Sequence, residues 1–425
     1  MTTASQTLGP SGRSAGAPRR RSLAILLAGE GVDYAGDSVQ RVALPALAVL
    51  GLGASPGQVA LLAFAGTIPA LLVSLPAGVL LDRYPLRAVL VTTDLAAAAV
   101  VIVIPAAAFF DELTMPLLYS IALALGSLSV LHTAASMVAV PLLSDAGQRH
   151  RANSLFTAVI TTAGVAGSAL GTVLVATVGP ARTLLADVAS FIVSACCAAR
   201  VRALPTPDRT QAARRPMLDE IREGLRYSAR DDVLRPVLTV LTATAIGKGL
   251  TVTLLAYHLL TAVRVGTTGL GLIMAAGSLG GLTGALVAPR LTRRYGSGTV
   301  LATGFTVHAL MQIPPLVAAP GPAWLAALAV AAGGHYAAAT CVGTTQRSVQ
   351  QWITPLHLRT RVQQTALWLS QGSQPLAALA AGGLAAVTSV RAVMLAGVLV
   401  HLLSAGMLWR SPVRRLTVKD AGGAR

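Results

Sequence analysis

Residues 29–41 read GEGVDYAGDSVQR and set Glu30, Asp33, Asp37 and Arg41 inside a long apolar stretch. Glu30, Asp37 and Arg41 follow the spacing i, i+7, i+11, which is one helical stripe, and Tyr34 joins it. Asp33 lies beside the stripe, and Asp37 and Arg41, four apart, can pair on the helix itself. Carboxyl groups held away from water are suited to taking up and releasing protons. Each ionisable group in an apolar span costs at least ~2.5–3.5 kcal/mol on insertion scales, so such a stripe belongs on a protein-lined cavity rather than on lipid.

A basic counterpart sits in the second half of the chain. Lys248 lies 14 residues past the start of the apolar run at 234, and Asp37 lies 15 past the run beginning at 22. At about 1.5 Å per residue both reach ~20 Å in, near mid-bilayer. The spacing predicts Lys248 facing Asp37 across a central cavity. Two readings fit: a proton or substrate competes for the acid, or the two form a static buried ion pair that fixes packing. Asp94 is expected as a partner for nearby arginines, and Asp187 as a structural acid. His132 is read as a proton relay or as a hydrogen-bonded packing histidine. Tyr34, His132, Tyr257, His258, Trp368, Gln371 and Gln374 are candidate cavity walls, each equally compatible with ordinary helix packing.

The elements that must position these residues are transmembrane helices. The 425-residue chain is 54% hydrophobic but only 12% charged, with a mean hydropathy of +0.67; soluble domains carry about 25% charge. Twelve runs are long enough to span: 22–50, 58–81, 88–108, 115–142, 153–177, 182–201, 234–262, 267–289, 298–317, 322–345, 361–387 and 390–410. No ten-residue alternating segments suggest a barrel. With the amino terminus inside, 28 of the 33 Lys and Arg fall in inside segments and 3 outside, so both termini are expected in the cytoplasm. The heavy use of Arg over Lys points to a bacterial chain, and hence to the bacterial cytoplasmic membrane.

Residues 1–21 read as a flexible cytoplasmic segment, 22–201 as one six-helix bundle, 202–233 as a cytoplasmic linker, 234–410 as a second six-helix bundle, and 411–425 as a tail. The linker carries Leu218, Ile221 and Leu225 on one face and Arg222, Arg226 and Arg230 on another. That pattern fits an amphipathic helix on the inner leaflet and, equally, a solvated linker helix.

The net charge of +17 is dispersed between apolar runs without interleaved aromatics, so anionic lipid headgroups are the expected partner and nucleic acid is not. IGKG at 246–249 lacks the upstream glycine and following Ser/Thr of a phosphate loop, and no nucleophile or metal motif points to an enzyme. No cofactor is called for. Cys196, Cys197 and Cys341 read as small hydrophobes.

Several motifs then converge. After the second span, LPAGVLLDRYPLRAVL places Gly78, Asp82, Arg83 and Arg87 in a tight inner loop, and this resembles the signature between helices 2 and 3 of the major facilitator superfamily. Pro85 stands where that family prefers Gly; in PRLTRRYG, the matching loop of the second half, Arg293 takes the Asp position. GDSVQRVALPALAV, ANSLFTAV, LLADVASFIVSA, EGLRYSARDDVLRP, SVQQWITPLHLRTRV and QGSQPLAALAAG resemble, in order, stretches of its drug-exporter-like branch, which includes macrolide and siderophore exporters. Gly167 and Gly171 resemble part of that branch's fifth-helix antiporter motif, with Ser168 at its proline position, and fit a small-xxx-small interface, as do Gly280 and Gly284.

The resemblance implies an all-α polytopic membrane protein of twelve transmembrane helices in two pseudo-symmetric six-helix bundles, working by alternating access. It implies that Asp82 meets the start of helix 11, near Arg359 or Arg361, in the outward-facing state. The function it implies is a monomeric, proton-coupled secondary transporter that expels a small organic compound. The alternative is an importer or facilitator of a nutrient or siderophore.

Overall fold

A computed structural model describes residues 16–73, 77, 80–81, 83–144, 149–201, 204, 225–232, 234–354 and 359–415. Gly78, Asp82 and most of the linker lie outside the described residues, as do the side chains of Arg359 and Arg361.

The described residues form twelve long helices. In the first half these are α1 (Gly16–Ala46), α2 (Pro56–Thr67, continued by Pro69–Leu72), α3 (Leu86–Val101, continued by Val103–Phe109), α4 (Met115–Leu142), α5 (Arg149–Val178) and α6 (Pro180–Arg200). In the second they are α7 (Leu234–Thr261), α8 (Gly266–Tyr295), α9 (Ser297–Leu310, continued by Ile313–Val317), α10 (Pro322–Ile353), α11 (Arg359–Val387) and α12 (Val390–Arg410). Nine of them are apolar and long enough to span by composition alone. The described part of α2 is shorter, and α1 carries the charged stripe. Within the linker, residues 225–230 are helical.

Packing repeats between the halves. Helix α1 lies against α5 and α6, as α7 lies against α11 and α12; α4 meets α2 and α3, as α10 meets α8 and α9. Close approach rests on glycine. A Cβ on Gly167 or Gly171 would run into the α1 backbone at Ala35 or Val39, and one on Gly280 or Gly284 into the α10 backbone at Gly333 or Ala337. Both small-xxx-small faces expected from the sequence are therefore used, α5 on α1 and α8 on α10. The halves themselves meet along α2–α11 and α5–α8. Large exposed side chains such as Leu72, Val173, Leu279, Leu286, Val330 and Leu403 give the perimeter its apolar belt.

The two ends of the molecule differ. At the end away from the termini, one apolar cluster runs through both halves, from Val42–Val49, Val59, Leu118 and Leu184 to Leu259, Leu270, Ile273 and Leu328. At the termini end, among the described residues, the clusters stay apart. Leu26, Leu90 and Val140 belong to the first half, and Val237, Leu301 and Leu408 to the second. The halves are thus sealed at one end and separately cored at the other.

Helix α1 does not end cleanly. Pro45 has no N–H to donate to the carbonyl of Arg41, and the chain widens into a π-helical turn at Leu47–Gly51. Pro375 does the same to the carbonyl of Gln371 in α11.

Candidate functional site

The acids of α1 do not form one uniform stripe; the packing of α3, α4 and α6 sorts them. Glu30 and Asp33 point into the first bundle, where His132 of α4 meets them. Its Nε2 lies 3.3 Å from Glu30 Oε1 and 3.9 Å from Asp33 Oδ2, and its Nδ1 lies 2.8 Å from Asp94 Oδ1 of α3. Thr93 Oγ1 sits 3.3 Å from Nδ1, and Ser136, one turn beyond His132, donates a short hydrogen bond to Glu30. All six residues are buried. Asp33 Oδ1 and Asp94 Oδ2 have no hydrogen-bond partner among the described residues. One imidazole thus faces three carboxyl groups in a buried site.

This corrects two sequence expectations. Asp94, 1% exposed, is bound to His132 and not to the inner-loop arginines. It lies two helical turns inside the start of α3, whereas Arg83 and Arg87 are exposed at the helix end. His132 is a hub within the first bundle and not an open cavity wall.

Asp37 and Arg41 are neighbours without direct contact. Arg41, open to solvent space, donates to Ser38 Oγ and lies 4.9 Å over the Tyr34 ring, while Ser38 Oγ in turn donates to Tyr34 O at 2.8 Å. No Asp37–Arg41 ion pair forms among the described residues, because the guanidinium folds back along its own helix onto Tyr34. Asp37 stays within electrostatic reach of Arg41 and also of fully buried Asp187 of α6. Gly36 permits that approach, since a Cβ there would strike Ser190 and Asp187. Ser190 Oγ donates to Asp187 O at 2.8 Å.

Lys248 likewise makes no ion pair with Asp37 among the described residues. Matching depths fixed its height but not its azimuth. Gly247 packs on α12 and Gly249 on α11, which leaves Lys248 exposed and within electrostatic reach of His308, His335 and His401 of its own half. Across the halves α1 packs on α7 and α8, and Tyr336 of α10 stands on the same side. It is 42% exposed, is seated on Gly277 of α8, and lies within electrostatic reach of Arg41 and Tyr34. Ser168 and Ser278 bridge α5 and α8 nearby, Oγ to Oγ 3.3 Å.

The remaining candidates divide. Gln371 is exposed and Trp368 and Gln374 partly so, all on α11. Tyr257 packs against the apolar cluster at the sealed end, and His258 Nε2 donates to Pro315 O at 3.0 Å. Sequence reasoning missed Thr93, Ser136, Tyr336 and the three histidines of the second half. One signal was available for Ser136, which lies four residues from His132 on the same helical face.

Residues 14–423 match the profile of a family described as transmembrane secretion effectors. The chain is 28% identical over 390 residues to a protein of Mycolicibacterium fortuitum called multidrug efflux pump Tap, covering 89% of this chain and 92% of that one. Among solved structures it resembles the nucleoside transporter NupG, with a TM-score of 0.74 and 12% identity, covering 92% of this chain and 98% of that one. It also resembles a bacterial homologue of the iron transporter ferroportin, covering 92% of this chain. The TM-score is 0.68 for that protein's inward-facing state, at 16% identity and 98% of its chain, and 0.58 for its outward-facing state, at 18% identity and 99%.

Proposed function

The chain belongs to the transmembrane secretion effector family of major facilitator transporters, and on that premise we propose that it expels small organic molecules from a bacterial cell in exchange for protons. The observation that carries this reading is the buried group of Glu30, Asp33, Asp94 and His132, where one histidine serves three carboxyls. Such a group can hold one more proton or one fewer without changing its neighbours, which is what coupling to a proton gradient requires.

In this mechanism the two bundles rock about a cavity between α1, α5, α7, α8, α10 and α11. The sealed end faces outward and both termini lie in the cytoplasm, in keeping with the arginine distribution. The conformation is then inward-facing, and the better match to the inward-facing ferroportin homologue supports that. Substrate enters from the cytoplasm against Tyr34, Arg41, Tyr336 and the exposed face of α11. Protonation of the acid group from outside removes charge beside α1 and favours return to the inward-facing state. Export, rather than uptake, is supported by the relative called a multidrug efflux pump. Both bundles are in one chain, so a monomer suffices.

Everted membrane vesicles test this directly. Acidifying the lumen should drive uptake of a cationic dye such as ethidium, and nigericin should abolish it. Uptake that persists after nigericin, with Glu30→Gln fully active, would overturn proton coupling. Dye accumulating in whole cells above an empty-vector control would overturn export.

A further inference from the structure

Every acid but one precedes residue 234: the second bundle, 234–410, contains no Asp or Glu, and Asp420 lies in the tail. Yet that bundle gathers four nitrogen bases at mid-depth. His308 of α9 stacks on His335 of α10 with ring centroids 4.1 Å apart, and meets His401 of α12 edge-on at 4.9 Å. His335 Nδ1 donates to His308 O at 3.2 Å, and Gln312 Nε2 donates to the same carbonyl at 3.3 Å. Both ring nitrogens of His308 and both of His401 are buried with no hydrogen-bond partner among the described residues. The two residues are 6% and 1% exposed.

The space is built for these rings. A Cβ on Gly247 of α7 would come within 2.9 Å of the His401 imidazole. The next residue, Lys248, opens onto the cavity while acting electrostatically on all three histidines. Facing the group are therefore Lys248 from α7, His308 from α9, His335 and its neighbour Tyr336 from α10, and His401 from α12. Helices α8 and α11 bring no acid.

Four unpartnered imidazole nitrogens in an apolar interior await a ligand. The absence of any carboxylate in this half makes an internal counter-ion impossible. We propose that Lys248, His308, His335 and His401 form a second proton-binding centre, separate from the acid group of the first half. A proton delivered by water or by the Lys248 ammonium adds to a free lone pair of His308 or His401. In the second case the lysine becomes a neutral amine, so the centre keeps a single positive charge that moves between the cavity edge and the bundle interior. As a coupling device the centre rests on the proton-driven reading above; as a titrating centre it does not.

The test uses the full chain in lipid nanodiscs with 15N-labelled histidine. Imidazole signals are assigned through His308→Gln, His335→Gln and His401→Gln. The three should change together in one transition as the pH is lowered. Lys248→Gln removes the competing charge and should move that midpoint to higher pH by about one unit. The His258 signal, held by Pro315, should persist in every folded variant, and the unsubstituted protein alone shows whether the transition exists. Independent transitions unaffected by Lys248→Gln, or no transition at all, overturn the centre. A joint transition in a protein whose export ignores the proton gradient leaves the centre standing and sinks the coupling reading.

Discussion

Asp94→Asn is the sharpest probe of the acid group. The substitution keeps the shape of the side chain and removes one charge. It exchanges a 2.8 Å charge-assisted bond to His132 Nδ1 for a neutral one, with both partners buried. Hydrogen bonds to charged groups contribute about 1.5–3 kcal/mol. A neutral bond of about 0.5–1.5 kcal/mol remains, so about 1–1.5 kcal/mol is lost, and at about 1.4 kcal/mol per factor of ten the fraction of molecules with His132 turned toward Glu30 should fall roughly 5- to 13-fold. If that orientation sets how protons load, proton-driven ethidium transport should fall by the same factor. Counterflow of dye without a pH gradient should stay within about twofold, because no cavity-facing side chain has changed. The assay compares the two modes in proteoliposomes at matched protein content. Wild-type rates in both modes would refute the role assigned to Asp94. An equal loss in both would show that the bond serves packing alone.

Three further outcomes follow from the same geometry. In a background without Cys196, Cys197 and Cys341, Ser168→Cys with Ser278→Cys should form a disulfide, since their hydroxyls lie 3.3 Å apart. That link should stop transport until reduced, and unhindered transport by the fully oxidised pair would show that this end need not open. Gly280→Val places methyl groups against the α10 backbone. Overpacking of this kind costs typically 1–3 kcal/mol, so a lowered unfolding temperature in detergent is expected, with Gly383→Ala, which meets nothing within 4 Å, as the neutral control. Arg41→Ala removes the contacts to Tyr34 and Ser38 and should weaken substrate affinity without altering the dependence on the pH gradient, read as a change in KM alone.

Much of this was legible from residue order. Runs of apolar length gave twelve helices, and the six-plus-six arrangement recurs in the packing of α1 with α5 and α6 and of α7 with α11 and α12. The glycine pairs at 167/171 and 280/284 announced close contacts because nothing else lets two backbones touch. The charged stripe of α1 was also visible, but its division was not. Helical period tells which residues share a face of one helix; it does not tell which neighbour covers that face. His132 lies about a hundred residues from Glu30 and near forty from Asp94, and only the packing of α4 between them joins the three. Lys248 shows the same limit, since equal depth left its direction around the helix axis free. The histidine group might have been suspected from composition taken half by half, because a bundle without acids that still buries three histidines departs from simple core chemistry.

The seal at the end away from the termini has a thermodynamic consequence. It is built from Val, Leu, Ile and Ala drawn from both halves, with Met115 and Phe191, and with no ion pair among its described members. Opening it toward water exposes hydrocarbon, so the step carries a positive heat-capacity change. Transport rates should then bend on an Arrhenius plot rather than follow one slope, and added salt should hardly shift them. A gate of this composition is sensitive to temperature and indifferent to ionic strength. Under the proposed coupling, the choice of when to open falls to the titrating groups buried at mid-depth.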